Sequence, residues 1–211
     1  MKQRSAWGSM AVSVVAAMVC AGAARADQNA VRTVAALSAT SRAGRVAFWK
    51  GESQRWELYL AGPGLDEPRL VYRSSFSPDE TCLGRALDWS PDGAALLFCA
   101  PAAAQRGATR IFVVRQDGSG LRCLTPLSRY EADPCWSPDG RMIAFLRCSA
   151  GDGARDWTIW TMHADASGRE RVPGDAAVPF TAPSKPILRW SADGATLSWR
   201  AQPLYLGMAG R

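Results

Sequence analysis

Three copies of one five-residue pattern, Trp-Ser-x-Asp-Gly, constrain the fold of this chain more than any other feature. The copies begin at Trp89, Trp136 and Trp190, which are 47 and 54 residues apart. Self-similarity at a period of this length indicates an array of like units rather than one irregular core. The positions that carry the repeat are Trp89, Pro91, Asp92, Gly93, Trp136, Pro138, Asp139, Gly140, Trp190, Asp193 and Gly194.

Each copy lies between short apolar runs. Proline presets φ, aspartate caps its own backbone, and glycine accepts the left-handed conformation that follows a type I turn, so the pattern predicts a tight hairpin. The runs that follow, such as residues 96–98 and 111–114, are rich in β-branched and aromatic residues and predict strands. Each unit therefore predicts four short antiparallel strands. We expect the repeated tryptophans to pack between neighbouring units.

A degenerate fourth copy precedes the other three. Residues 45–48 and 57–60 match the two apolar runs, and residues 40–44 replace the pattern with Thr-Ser-Arg-Ala-Gly. A four-stranded unit that repeats in this way is a β-propeller blade. We predict an all-β fold of propeller blades of four antiparallel strands in about four units, a small or incomplete propeller. The expected blades are residues 34–74, 85–126, 132–173 and 186–210.

Residues 120–145 run from Gly-Leu-Arg-Cys-Leu-Thr-Pro through Trp-Ser-Pro-Asp-Gly to an apolar strand. This stretch resembles the WD-repeat-like propeller blade of the TolB family, and the resemblance extends over about residues 44–208. The same blade occurs in periplasmic TolB proteins, in the propeller domains of prolyl-oligopeptidase-like enzymes and in exported proteins of unknown role. The resemblance therefore implies a blade type, and it leaves the activity open.

The number of units is lower than the six or seven blades usual in this family, and TolB itself carries an α/β domain before its propeller. Three arrangements remain open: a four-bladed ring closed by a strand from residues 31–37, a half ring completed by a second copy of the chain, or a truncated relic. Unpaired strand edges promote aggregation. Closure or homodimer formation is therefore favoured over a stable open arc.

The first 26 residues have the layout of a secretory signal peptide. A basic start at Lys2 and Arg4 precedes an apolar run over residues 10–24, and Ala24 and Ala26 place small residues at the −3 and −1 positions. The run is shorter than the roughly 20 residues of a spanning helix, so cleavage is favoured over a retained anchor. Cys20 is a weaker sign of a lipoprotein signal. We predict a periplasmic or secreted chain, residues 27–211, with no membrane span after cleavage.

The charge of the mature chain is mild. The full chain carries 25 basic and 19 acidic residues, a net charge of +6. Removal of Lys2, Arg4 and Arg25 with the leader lowers it by three to +3. No basic block typical of nucleic-acid-binding surfaces occurs, so no nucleic acid partner is expected.

The residues assemble no recognisable catalytic or metal-binding pattern. His163 is the only histidine, which excludes a multi-histidine metal site, and there is no Gly-x-Ser-x-Gly elbow. The loop aspartates, among them Asp117 and Asp165, lack the spacing of a calcium loop such as the EF-hand. We predict no enzymatic activity, no catalytic residue, no cofactor and no metal ion.

The candidate binding surface consists of Trp49, Trp157 and His163. Both tryptophans lie outside the repeat, next to charged or loop residues, and tryptophan is enriched in interface hot spots. Together with the loops at residues 50–55, 102–109 and 149–157 they predict a non-enzymatic module that binds or scaffolds a protein or cell-envelope component. The alternative is the propeller portion or remnant of a prolyl-oligopeptidase-like or lyase enzyme without its catalytic part.

Five cysteines remain after cleavage, and an exported chain can form disulfides. None belongs to a Cys-x-x-Cys pair, so a redox motif has no support. If Pro91 and Asp92 form the hairpin centre, Leu97 faces a residue near Ala86. Cys99 then lies near the strand that follows Cys82, and we predict a Cys82–Cys99 disulfide.

Thiol mapping tests this disulfide. We expect alkylation of the oxidised, denatured mature chain, followed by peptide mass spectrometry, to leave Cys82 and Cys99 unmodified and joined in one linked peptide pair. Reduction before alkylation serves as the control and should label both. Labelling of both thiols without reductant would exclude the bridge.

Overall fold

The computed structural model describes residues 34–52, 55–74, 87–101, 109–126, 130–148, 157–173 and 184–203. This part of the chain consists of fourteen β-strands and one 3₁₀ turn at Pro63–Leu65. Within these same residues no helix reaches the length and apolarity that crossing a membrane requires. The predicted all-β propeller fold is confirmed, and the blades are arranged in order along the chain.

The first blade is a four-stranded antiparallel sheet with strands in sequence order. Its strands are β1 (Val34–Thr40), β2 (Val46–Glu52), β3 (Arg55–Ala61) and β4 (Arg69–Ser74). Residues 34–37 therefore belong to β1, which pairs with β2. The option that residues 31–37 close the ring on the last blade is wrong for this described part, because its backbone already completes the first blade.

The second and third blades repeat the same antiparallel order and share one eight-stranded sheet. A single parallel bridge between Thr109 and Tyr130 joins them. The second blade contains β5 (Leu87–Trp89), β6 (Ala95–Pro101), β7 (Thr109–Arg115) and β8 (Arg122–Cys123). The third contains β9 (Tyr130–Trp136), β10 (Met142–Cys148), β11 (Trp157–His163) and β12 (Glu170–Arg171).

The fourth blade is described as one antiparallel hairpin of β13 (Ser184–Trp190) and β14 (Leu197–Pro203). Its predicted third strand, near residues 204–206, lies outside the described residues. The first strands of the four blades lie side by side, with β1 against β5, β5 against β9, and β9 against β13. These four strands form the inner wall of the array.

The repeated pattern forms the hairpin turn that the sequence predicts. In the second blade the Ser90 hydroxyl donates a hydrogen bond to the Asp92 carboxylate and accepts one from the Ala95 amide. The same carboxylate accepts the Ala94 amide, and Gly93 adopts φ 73°. Equivalent bonds occur in the turns that begin at Ser137 and Ser191. The serine and aspartate thus satisfy backbone amides that the turn leaves outside the strand ladder.

The turn sets a register two residues away from the expected one. Leu97 lies opposite Asp88 rather than near Ala86. The Cys99 thiol is buried and donates to the Glu131 carbonyl oxygen at 3.0 Å. Cys82 lies outside the described residues, so the Cys82–Cys99 disulfide stays a prediction.

Apolar layers between the blades form the core. Because side chains alternate across a strand, each blade has two faces, and the faces of consecutive blades pack on one another. The three layers contain, in order, Trp49 and Phe98, then Leu97 and Phe145, then Leu146 and Leu188, all fully buried. Burial of each such side chain stabilises the fold by about 1.5–3 kcal/mol.

A polar link joins the second and third blades at the end remote from the repeated turns. The Thr109 hydroxyl donates to the Glu131 carbonyl oxygen at 2.5 Å and accepts the Glu131 amide at 3.0 Å. The fully buried Glu131 carboxylate pairs with Arg147 at 2.7 Å, and the guanidinium of Arg147 lies 4.2 Å from the centre of the Trp160 ring. A buried carboxylate needs such a partner because desolvation is costly.

A glycine substitution tests the turn conformation. Gly140 has φ 72°, and we expect Gly140→Ala to lower the free energy of unfolding by about 1–2 kcal/mol, the cost of a left-handed residue with a Cβ. Gly62→Ala is the matched control, because Gly62 has φ −67° and a Cβ there meets only ordinary contacts. Urea unfolding of both variants makes the measurement. Equal effects would show that φ is not the constraint.

Acid titration tests the turn aspartates. In Asp92, Asp117, Asp139, Asp165 and Asp193 a serine hydroxyl, and then the amide two residues on, hold the carboxyl pKa below its usual value. Since the folded pKa is below the unfolded value of about 3.9, this stabilisation is present above that pH and lost as the pH falls through the folded pKa. We expect the urea midpoint to fall in this acid range. A double Asp139→Asn, Asp193→Asn variant should show a smaller fall, and an identical fall would contradict this origin.

Candidate functional site

A cavity of about 490 Å³ opens at the end of the array that carries the repeated turns. Each of the four blades contributes the end of its first strand and the start of the following turn, at residues 39–42, 88–91, 135–138 and 188–192. The four inner strands converge here because they lie side by side. The cavity is therefore a product of the repeat, with equivalent positions of each unit on its wall.

Two of the three repeated tryptophans connect neighbouring inner strands at this cavity by a hydrogen bond, and the Trp136 Nε1 has no partner among the described residues. The Trp89 indole Nε1 donates to the Ala39 carbonyl oxygen at 3.2 Å, and the Trp190 Nε1 donates to the Cys135 carbonyl oxygen at 3.4 Å. In both cases the acceptor belongs to the preceding blade, one position before the end of its first strand. The expected packing of these tryptophans between blades is confirmed.

Carboxylates of one blade hold the inner strand of the next. Asp88 Oδ2 accepts the Trp136 amide at 2.9 Å, and the Asp133 carboxylate accepts the Leu188 amide. Asp133 is fully buried, with φ 50°, within an irregularity of the β9–β10 register. The amides of an edge strand have no partner in their own sheet, and a carboxylate is a strong acceptor. At these two contacts, an amide on the inner strand of one blade thus finds its hydrogen-bond acceptor on the preceding blade.

The turns themselves stack around the cavity mouth. A Cβ added to Gly140 would meet the Pro91 ring at 3.6 Å, and one added to Gly194 would meet the Pro138 ring at 3.6 Å. In the same way Gly93 faces the Ser41 side chain of the first blade. The proline of each turn therefore supports the glycine of the next turn, and the motif builds the rim as well as the hairpins.

Two arginines give the cavity a positive charge that sequence analysis missed. Arg42 occupies the place that proline has in the second and third turns, and Arg189 directly precedes Trp190, as Asp88 precedes Trp89. Both line the cavity and are exposed. The residue before each repeated tryptophan could have been singled out in the sequence, because the end of the first strand recurs there.

The predicted exposed surface at Trp49 and Trp157 is wrong. Trp49 is fully buried between the first two blades, with its ring perpendicular to that of Tyr72, and Trp157 is 3% exposed in the layer between the last two. Both occupy strand positions that face the next blade, and charged sequence neighbours alternate to the other face. His163 is exposed and lies beside Gly168 at the turn end of the third blade, outside the cavity wall. The structure does not bring the three residues together.

The predicted binding loops connect the second and third strands of the first three blades. Most of residues 50–55, 102–109 and 149–157 lies outside the described residues, and their role stays a prediction. Among the described residues no group of three or more histidine, cysteine, aspartate or glutamate side chains has the arrangement of a metal site.

Comparison with known proteins supports the blade type. No family model matches the chain. It is 40% identical over 84 residues to the Tol-Pal system protein TolB 1 of Novosphingobium aromaticivorans, a match that covers 38% of this chain and 18% of that protein. The repeats are similar to those of TolB-like β-propellers. This confirms the resemblance that the sequence indicates.

Two solved structures agree with the TolB-like fold. A protein assigned as TolB from Agrobacterium tumefaciens has a TM-score of 0.55 at 19% identity, over 84% of this chain and 61% of that one. TolB from Acinetobacter baumannii has a TM-score of 0.52 at 19% identity, over 79% and 37%. At this identity the likeness concerns the fold alone. The chain spans less than two thirds of the length of each of these proteins.

A substitution at Asp88 tests the inter-blade hydrogen bond. We expect Asp88→Ala to lower the free energy of unfolding by about 1–3 kcal/mol, because the Trp136 amide loses its acceptor in a partly buried setting. Asp88→Asn keeps an acceptor oxygen and should cost less. Urea unfolding compares the two, and an alanine variant as stable as the asparagine variant would contradict the role of this bond.

Proposed function

We propose that this chain is an exported, non-enzymatic binding module that holds a segment of a partner protein of the cell envelope in its axial cavity. The observation that carries the proposal is the convergence of all four blades on one cavity. The name of the curated relative refers to the Tol-Pal system, which supports a role within a protein assembly. Periplasmic or secreted localisation, from the leader, is part of the same proposal.

The cavity has the properties of a preformed site. Its volume of about 490 Å³ falls within the roughly 300–1,000 Å³ typical of ligand sites. Its wall combines three indoles with polar groups, and it is built on paired strands rather than on long loops. Rigid walls lower the entropy cost of binding, so a partner segment can be held without reorganisation of the blades.

The loops at residues 50–55, 102–109 and 149–157 are proposed as a second contact for scaffolding, as the sequence predicts. A cavity and a separate set of loops would let one module contact two components. A homodimer through the outer blades stays a prediction of the same kind, which the solution mass of residues 27–211 can decide.

Site-specific photo-crosslinking in cells tests the proposal. We expect a photoreactive amino acid at Ala192, on the cavity wall, to give a discrete crosslinked adduct in the envelope fraction. The matched control is Gln116, which is exposed at the turn after β7 and does not line the cavity.

Two results would contradict the proposal. Equal crosslinking from Ala192 and Gln116, or no crosslinking from Ala192, would show that the cavity is not the binding site. Hydrolase or lyase turnover by the purified mature chain would overturn the non-enzymatic assignment and revive the enzyme-remnant alternative.

A further inference from the structure

We infer that the axial cavity selects an acidic peptide segment, one whose carboxylates pair with Arg42 and Arg189 while apolar side chains contact the indoles. This inference rests on the proposed function and adds the chemistry of the partner. It begins from the charges on the cavity wall. The charged side chains there are Arg42, Asp88 and Arg189.

The Asp88 carboxylate on the wall has a hydrogen-bond partner within the chain, and the two guanidinium groups have none among the described residues. Asp88 accepts the Trp136 amide at 2.9 Å. Among the described residues neither Arg42 nor Arg189 has a hydrogen bond or ion pair from its guanidinium, and both are exposed. Guanidinium groups bind carboxylates through paired, charge-assisted hydrogen bonds. An anionic ligand would supply the partners that the chain itself does not.

Three serine hydroxyls of the wall are committed to the fold, whereas the buried Trp136 Nε1 has no hydrogen-bond partner among the described residues. The hydroxyls of Ser90, Ser137 and Ser191 each donate to the aspartate of their own turn and accept an amide of the same turn. The charged side-chain donors that this wall offers to a ligand are the two guanidinium groups. Recognition by this cavity depends on charge more than on neutral hydrogen bonding.

The position of the arginines indicates a ligand of some length. Arg42 belongs to the turn of the first blade, and Arg189 is the penultimate residue of the first strand of the fourth. These blades are the two ends of the described array, so a ligand that engages both arginines contacts the first and the fourth blade. A segment with two carboxylates can pair with both guanidinium groups at once.

The aromatic wall favours a peptide over an anionic polymer. The rings of Trp89, Trp136 and Trp190 line the same cavity as the arginines. Tryptophan offers a large apolar surface with little conformational entropy to lose. A peptide that alternates glutamate with leucine matches both the charge and the apolar surface, whereas a phosphate polymer matches only the charge.

Fluorescence anisotropy with the purified mature chain tests the inference. The probes are a labelled Glu-Leu-Glu-Leu-Glu peptide, its Gln-Leu-Gln-Leu-Gln counterpart, and labelled inorganic polyphosphate. We expect the glutamate peptide to bind at least about tenfold more tightly than the glutamine peptide, the factor that one lost charge-assisted pair implies. Polyphosphate should bind more weakly than the glutamate peptide.

Variants assign the effect to the arginines. Arg42→Gln and Arg189→Gln should each weaken binding of the glutamate peptide about tenfold while leaving the urea midpoint unchanged. Arg115→Gln is the matched control, because Arg115 is exposed at the end of β7 and lies outside the cavity wall. It should leave the affinity unchanged.

The outcomes separate this inference from the proposed function. Equal binding of both peptides, or no loss in the arginine variants, would overturn the acidic specificity and leave the Ala192 crosslink unaffected. Tight binding of polyphosphate with none of the peptide would overturn it in favour of an anionic polymer. Absence of peptide binding also contradicts it, and the crosslink then reports separately whether the cavity holds any partner.

Discussion

Each blade of this chain has two faces, and the stability of the array depends on covering the apolar faces with a neighbouring blade. The described layers do this three times, with Phe98, Phe145 and Leu188 as fully buried anchors. This stacking also brings the four inner strands side by side and so creates the axial cavity. The fold and the candidate site therefore depend on the same contact.

The two ends of the described array differ. Along the second strand, Leu97 and Ala144 are fully buried where the fourth blade has the exposed Ser198. Arg189 stands where the second blade has Asp88, whose carboxylate accepts an amide of the next blade. An arginine guanidinium has no hydrogen-bond acceptor, so this position cannot accept an amide as Asp88 does.

The repeated pattern serves several structural purposes at once. Its serine and aspartate satisfy turn amides, its tryptophan packs against the preceding blade, and its proline supports the glycine of the next turn. Because one short pattern has all these roles, the sequence indicated the strands and turns of the blades. Turn chemistry, strand periodicity and the tryptophans all belong to one local unit, and each is readable without knowledge of the remaining blades.

The site was harder to predict because it is formed between units. Whether Trp49 and Trp157 are buried depends on which side of their strands meets the next blade. Their sequence neighbours do not indicate that side. A hairpin centred at Pro91 and Asp92 would place Leu97 opposite a residue near Ala86. The actual turn is longer, and Leu97 pairs with Asp88. Arg42 and Arg189 could be recognised as candidate binding residues only after the structure placed both on the wall of one cavity. Strands were thus predictable locally, and the cavity was not.

Hydrogen exchange at the Trp136 and Leu188 amides tests the central claim most directly, because both amides point away from their own sheets toward carboxylates of the preceding blade. NMR measurement on the full mature chain would resolve them individually. Stacked blades predict exchange as slow as that of amides within the paired core strands. Exchange at the rate of an unprotected strand edge would show that the blades do not stack in this way. It would also contradict a cavity shared by the four blades.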